Sequence, residues 1–451
     1  MALSSEKPTK IRWAVFVLAC GTSWMMYLHR YLFALIKPRI AEEWNLGTDE
    51  LGLLDSAFSL AYMLFQFPLG IAADAFGVHF VLTCLILLWA TGLGMHAWAP
   101  SAKYMWFARA TLGMGQSAVY ANLSRIAKTW FPVGIRTSLQ GFAGVTSGRV
   151  GGLCGYLLIG TLMLGVLNLN WRTAVYVCVA FGVGQAILFF CVFRNSPTQH
   201  PLVNEAEAQL IEGVDAKDST KVAGKPEKAR MSVREMLTSL KPRALLNLIF
   251  LNMQTIFSTF ADNIYSSWIP LFLWQVHNLK FKEMGLYSSL PLLGGAIAGL
   301  IGGMLNDYFI SRTGNRRWSR SGVAFCGKGM AAGLLFTAMF WYESPYIFCA
   351  FLFFVKFFGD WSLTTTWGVV TDIGGRATAS VFAYNNAVAA VGAILAPIVY
   401  GLLAEHHGWR IVFVFAAATY VMCALSWFLV NCTIPVLQKE SDSSVRSEAV
   451  D

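Results

Sequence analysis

Charge is what this chain has little of. Only 13% of its 451 residues are Asp, Glu, Lys or Arg, against roughly 25% in soluble domains, which excludes an ordinary water-soluble globule. With 56% hydrophobic residues and a mean hydropathy of +0.53, the class that remains is a polytopic membrane protein. Acidic residues are the scarcer sign, 25 against 34 Lys and Arg, a net charge of +9. That excess does not point to nucleic acid. Most of the basic residues lie in loops between apolar segments, where membrane topology accounts for them.

Chemistry-bearing patterns are missing too. The cysteines (Cys20, Cys84, Cys154, Cys178, Cys191, Cys326, Cys349, Cys423 and Cys432) all fall in apolar stretches without metal-like spacing. They read as small buried hydrophobes. No Ser/His/Asp constellation, metal spacing or phosphate-cradling glycine loop occurs, so neither an enzyme nor a cofactor is expected. Asn122-Leu123-Ser124 matches a glycosylation pattern but falls inside an apolar segment.

What is present is a series of apolar runs. Twelve of spanning length can be placed, near 12–36, 51–73, 80–98, 104–127, 138–166, 172–193, 244–274, 284–306, 321–341, 345–370, 377–403 and 410–432. The implied fold is all-α and integral to the membrane, with two pseudo-symmetric six-helix halves. Residues 1–193 form the first half and 244–434 the second. A polar linker, 194–243, holds Lys217, Lys221, Lys225, Lys228, Arg230 and Arg234, and a polar tail covers 435–451. Arg125, Lys128, Arg136, the linker, Arg312, Arg316, Arg317 and Arg320 all fall on one side. The positive-inside rule then makes both termini cytoplasmic and the plasma membrane the location, the inner membrane if the cell is bacterial.

The halves repeat. Asn45-Leu46, Glu50-Leu51-Gly52-Leu53, Gly70 and Asp74 recur as Asn278-Leu279, Glu283-Met284-Gly285-Leu286, Gly303 and Asp307, at a constant offset of 233 residues. Asn170-Trp171-Arg172 recurs as Gly408-Trp409-Arg410. A duplicated six-helix unit in one orientation is a transporter signature, with the site at the midplane between the halves.

Polar residues at membrane depth are the candidate site. Arg30 sits within the first apolar run with no acidic residue one helical turn away, and burying such a cation costs at least ~2.5–3.5 kcal/mol. An anionic ligand is its natural partner, with a carboxylate on another helix as the structural alternative. Arg149 is a second intramembrane cation. It is either a second substrate contact or half of an ion pair with Asp55, Asp262 or Asp360. Lys356 and Asp360 lie four apart and suit a local pair. Gln254, Ser258, Asp262 and Tyr265 mark one polar face of the seventh segment.

The loop strings Gly70-Ile71-Ala72-Ala73-Asp74 and Gly303-Met304-Leu305-Asn306-Asp307, the second continuing to Arg312-Thr313-Gly314-Asn315-Arg316-Arg317, resemble a motif of the major facilitator superfamily. Arg109-Ala110-Thr111-Leu112-Gly113-Met114-Gly115 resembles its fourth-helix motif. The anion:cation symporter branch, with its galactonate, hexuronate and sialic-acid carriers, is matched by several strings. These are Tyr27-Leu28-His29-Arg30, Trp268-Ile269-Pro270-Leu271-Phe272-Leu273, Lys282-Glu283-Met284-Gly285-Leu286, and Trp367, Asp372, Asn386 and Pro397.

The resemblance implies that Tyr27 and Arg30 face a substrate carboxylate. It also implies that Tyr62, Thr364, Thr366, Trp367 and Asn386 fall where the branch places substrate contacts. Asp74, Arg109, Asp307 and Arg312 become conformational-motif residues. Two departures bear on coupling. His29 stands where the branch has Asp, and Gln116 where its proton-coupled carriers have Glu. Gln116 cannot titrate, and Asp262 is the carboxylate that could replace the missing pair.

The expected function is secondary transport of a small organic anion, such as a sugar acid, by alternating access. A proton or other cation is the possible coupling partner, and the protein is expected to act as a monomer. Organophosphate exchange, facilitated anion diffusion and, further off, a transporter-like nutrient receptor are the alternatives.

Overall fold

The computed structural model describes residues 7–211, 242–375 and 378–436. The linker cations Lys217 to Arg234 and the tail beyond residue 436 lie outside these. The described residues contain no β-strand.

The N-terminal half begins with α1 (Ile11–Trp44), α2 (Thr48–Phe76) and α3 (Val78–Trp98). The fourth crossing is made of two pieces, α4 (Ala102–Gln116) and α5 (Val119–Trp130). α6 is a continuous helix whose parts are Val133–Gly141, a π turn Phe142–Thr146, Ser147–Gly155 and a π segment Tyr156–Val166. α7 (Trp171–Val192) closes the half. A short linker helix, α8, covers 205–211. The second half holds α9 (Pro242–Gln275, with a π turn at Ile264–Trp268), α10 (Phe281–Thr313) and α11 (Arg316–Trp341). It continues with α12 (Pro345–Gly359), α13 (Trp361–Gly374), α14 (Thr378–His407) and α15 (Trp409–Leu429).

Eleven helical stretches among the described residues are long and apolar enough to span a membrane. The expected fourth run is the exception, because it is divided at Ser117-Ala118. Gly113 and Gly115 pack their backbones onto Phe58 and Trp89, leaving no room for a Cβ. Glycines inside a helical run weaken it relative to alanine. Ser117 completes the break, its N–H and hydroxyl both turning back to the Met114 carbonyl, at 3.2 and 2.7 Å. α4 and α5 together make the twelfth crossing.

The repeat is visible in the backbone. Asn45 and Asn278 both take left-handed φ of 52° just after their helices end, a conformation Asn tolerates better than most residues. Arg172 and Arg410 both form ion pairs, with Glu43 at 2.5 Å and with Glu343 at 2.6 Å.

Helix direction defines two sides, the one where α1 begins (the termini side) and the opposite, far side. The residues seen to join the halves lie from mid-depth to the far side. Gly52 of α2 lies against the Pro397 carbonyl of α14, so that a Cβ there would clash. A Cβ on its repeat partner Gly285 of α10 would come within 2.6 Å of Thr161 N and the Tyr156 carbonyl of α6. Thr48 Oγ1 donates to the Gly401 carbonyl at 3.0 Å, and the Tyr156 hydroxyl donates to the Tyr265 carbonyl at 2.9 Å. On the termini side Asp74 pairs with Arg125 and Arg320 with Asp372, each pair within one half.

The linker start is docked onto α1. The buried Glu207 carboxylate accepts from the Ile11 and Arg12 N–H groups, both at 3.2 Å, and from Thr9 Oγ1. These first-turn donors have no partner within the helix, and an anion there also suits the helix dipole.

Candidate functional site

Arg30 projects from α1 at mid-depth, on the same face as Tyr27. Its Nε donates to Gln116 Oε1 at 3.0 Å, and Gln116 Nε2 in turn donates to the Met26 carbonyl at 3.0 Å. The amide is thereby fixed with its oxygen toward Arg30. The guanidinium carbon lies 4.9 Å from the Tyr27 and Phe58 ring centroids and 5.3 Å from that of Tyr62, so cation–π attraction compensates part of its charge. Nη2 is buried without a hydrogen-bond partner. No carboxylate pairs with Arg30 among the described residues. Tyr120 Oη lies 2.9 Å from both Tyr27 Oη and the Gly144 carbonyl. A carbonyl can only accept, so Tyr120 donates there and Tyr27 donates to Tyr120.

Arg149 is not a free second contact. Its Nη1 lies 2.5 Å from Asp360 Oδ2 across the interface between the halves. Asp360 Oδ1 also takes Lys356 Nζ at 2.7 Å, the local pair expected from their spacing, and Lys356 reaches Asp262 Oδ1 at 2.6 Å. Asp262, Lys356, Asp360 and Arg149 thus form one chain of alternating charge. Gly295 of α10 makes room for it, since a Cβ there would strike Asp360 and Arg149. Asp262 is the open end, with 36% of its side chain exposed.

His29 is fully buried and faces away from Arg30, its ring against Gly182 of α7. Successive helix residues point about 100° apart, so the neighbour of a site residue is turned out of the site. His29 therefore shares no surface with the substrate candidates. Thr364 likewise faces Gly302 and Gly303 of α10. Thr366 bonds the Ser362 carbonyl of its own helix at 2.9 Å. Trp367 and Asn386 are exposed, and the buried amide next door, Asn385, accepts from Thr255 at 2.8 Å.

The motif residues have distinct surroundings. Asp307 and Arg312 are exposed and make no ion pair among the described residues; Arg312 lies 5.8 Å from the Tyr308 ring centroid. Arg109 is buried far from them and donates to Asp55 Oδ1 at 2.9 Å. Asp55 also pairs with the fully buried Lys37 and accepts from Ser267 Oγ, while Lys37 Nζ donates to the Ser267 carbonyl at 3.1 Å. Ser267 lies in the π turn of α9, so this cluster is a polar seal between the halves on the far side. Wide helical turns often mark functional positions.

Two buried lysines, Lys37 and Lys328, were not among the sequence candidates. Lys328 on α11 is 1% exposed, donates to Ser258 Oγ at 2.9 Å and lies 5.2 Å from the Tyr420 ring centroid. It makes no ion pair among the described residues. The signal was available, since Lys328 is the one charged residue in the run 321–341.

The family model described as Major Facilitator Superfamily matches residues 19–327 and 251–448. The chain is 28% identical over 441 residues to a probable sulfoacetate transporter of Cupriavidus necator, covering 97% of each. It is 24% identical to a probable galactarate/D-glucarate transporter of Bacillus subtilis, over 98% of this chain and 97% of that one. A D-galactonate transporter of Escherichia coli is 24% identical, over 95% and 97%. Among solved structures, a bacterial homolog of the human lysosomal transporter Spinster, inward-facing and occupied, superimposes with a TM-score of 0.72 at 16% identity, covering 94% of this chain and 97% of that one.

Proposed function

The chain belongs to the major facilitator superfamily, and from that premise we propose that it carries a small organic anion across the membrane by alternating access, with the anion seated on Arg30. The observation that carries this reading is the Arg30 guanidinium, held at mid-depth by a neutral amide, ringed by Tyr27, Phe58 and Tyr62, and left with a buried Nη2 that has no partner. A carboxylate or sulfonate oxygen fits that N–H, and the planar fork favours two-point contact. The names of the similar proteins, carriers of sulfoacetate and sugar acids, agree with this substrate class.

In our reading the termini side is cytoplasmic. The joined far side then makes this the state open to the cytoplasm, and transport proceeds as the seal of Lys37, Asp55 and Ser267 parts while the termini side closes. If a proton couples to transport, Asp262 takes the role that Gln116 cannot. Its carboxylate is the exposed end of a charge chain that reaches across the halves to Arg149, so its protonation would weaken the link to Lys356 at that end.

The test is a thermal-shift screen of the purified protein against sulfonates, sugar acids, dicarboxylates and phosphorylated metabolites. A ligand that binds only the folded state raises the midpoint, by an amount that grows with the logarithm of its concentration over its Kd. An organic carboxylate or sulfonate should do so in the wild type and lose the effect in Arg30→Ala. Equal shifts in a folded Arg30→Ala would reject the assignment.

A further inference from the structure

Charge balance among the buried groups goes further than the carrier reading on which this inference rests. Apart from the far-side seal, where Lys37 and Arg109 share Asp55, two positive centres lack a matching carboxylate among the described residues. The first is Arg30, with a neutral amide as its polar partner. The second is the group on the C-terminal half and its interface, where Lys356 and Arg149 pair with Asp262 and Asp360, and Lys328, bonded to Ser258 one turn before Asp262, has no ion pair among the described residues. Three cations against two carboxylates leave one positive charge, in a region where an unpaired charge is costly.

A pair of tyrosines links the two centres. Tyr27 lies beneath Arg30, and Tyr31 stacks on it with ring centroids 6.2 Å apart. These rings pack on Gly148 and Gly152 of α6, which flank Arg149. The tyrosine pair therefore runs from the Arg30 centre to the charge chain.

We propose that the substrate is a small dianion with two anionic groups on a short carbon chain, one bound by Arg30 and the other drawn to the centre around Lys328 and Lys356. Arg30 stands on the N-terminal half and the lysines on the other. A dianion would bridge the halves and favour closure of the termini side, whereas a monoanion would satisfy one half only. Lys328 supplies the unmatched charge, acting through Asp262 and Lys356 as a positioning residue rather than by direct contact.

The experiment compares anions matched in size in the thermal-shift assay on the full chain: sulfoacetate against its carboxamide, and galactarate against galactonate. In the wild type the dianion of at least one pair should give the same midpoint shift at a concentration at least ~10-fold lower than its monoanion, an affinity difference of about 1.4 kcal/mol. Lys328→Gln should bring the two members together while leaving monoanion binding in place, and Lys328→Arg should restore the preference. Equal midpoint shifts at equal concentration within both pairs in the wild type overturn the inference and leave the carrier reading standing. No stabilisation by any carboxylate or sulfonate overturns the carrier reading itself. An unchanged preference in folded Lys328→Gln removes Lys328 from the account. If that variant does not fold, the wild-type ranking alone still decides whether the substrate is a dianion.

Discussion

Arg30 Nε and Gln116 Oε1 are 3.0 Å apart, and the residue that accepts this bond carries no charge. A carboxylate at 116 would neutralise the guanidinium and compete with any anion. An amide orients it and leaves its charge for the ligand. The substitution that removes a titrating group from the branch pattern thus gives Arg30 a different environment, not merely a weaker one.

Gln116→Glu should therefore weaken anion binding by at least ~10-fold, with thermal stability of the ligand-free protein retained or raised. Titration calorimetry on both proteins measures it. Wild-type affinity in this variant would place the anion away from Arg30.

The repeated glycines make a second case. Gly52 and Gly285 sit at equivalent positions of the two halves, and each faces backbone of the opposite half too closely to admit a Cβ. Gly285→Val should hold the far side apart and abolish uptake without preventing folding. Spin labels at Leu167 and Lys280, on the adjoining ends of α6 and α10, should report a longer mean distance than in the wild-type background. An unchanged distance distribution would show that α6 and α10 can repack around the added methyl groups.

Much of this architecture was legible in the chain. Apolar runs reveal membrane crossings because lipid offers the backbone no alternative partner, and the constant offset from Asn45 to Asn278 announced the duplication. Arg30 stood out because a cation is rare at that depth. Pairings across the halves were not legible. Arg149 had three possible carboxylate partners, and only the packing of α6 against α10 selects Asp360. Reading the first span as ending near residue 36 hid Lys37 at its edge, so the far-side seal went unseen. Lys328 was missed although the argument made for Arg30 applied to it equally. The turn of His29 out of the site follows from helix geometry alone.

The ion pair between Arg149 and Asp360 can be tested by a double-mutant cycle. Removing one member of a buried pair typically costs about 3–5 kcal/mol, because the other charge is stranded. Arg149→Gln and Asp360→Asn should each lower the melting temperature, and the double variant should recover part of the loss. Strictly additive losses would mean that the two groups do not depend on each other.

Glu207 gives a prediction outside the membrane core. Its carboxylate accepts from the first N–H groups of α1 and lies 3.2 Å from Arg12 Nη1. Glu207→Ala removes a cap worth roughly 0.5–2 kcal/mol and leaves those donors to water. The variant should melt a few degrees lower, with substrate half-saturation unchanged, since the site at Arg30 lies several turns away. A shift in half-saturation instead would show that docking of the linker helix controls the site.

Asp262 separates the coupling schemes. Its side chain is 36% exposed, and it holds Lys356 at 2.6 Å. In Asp262→Asn the amide can still accept from Lys356, but nothing at that position can load or release a proton. Lys356 keeps Asp360, so the chain to Arg149 survives and the fold should be preserved. Proteoliposomes with an inward pH jump should then show proton-driven accumulation for the wild type and none for Asp262→Asn. Substrate-for-substrate counterflow, which needs no proton cycle, should persist in both. His29→Asn is the matched control, because His29 packs against Gly182 outside the site; it should accumulate substrate as the wild type does. Full accumulation by Asp262→Asn would move coupling to another group. Counterflow without any pH-driven accumulation in the wild type would make the protein an exchanger or a facilitative carrier, with the charge chain serving only to hold the halves together.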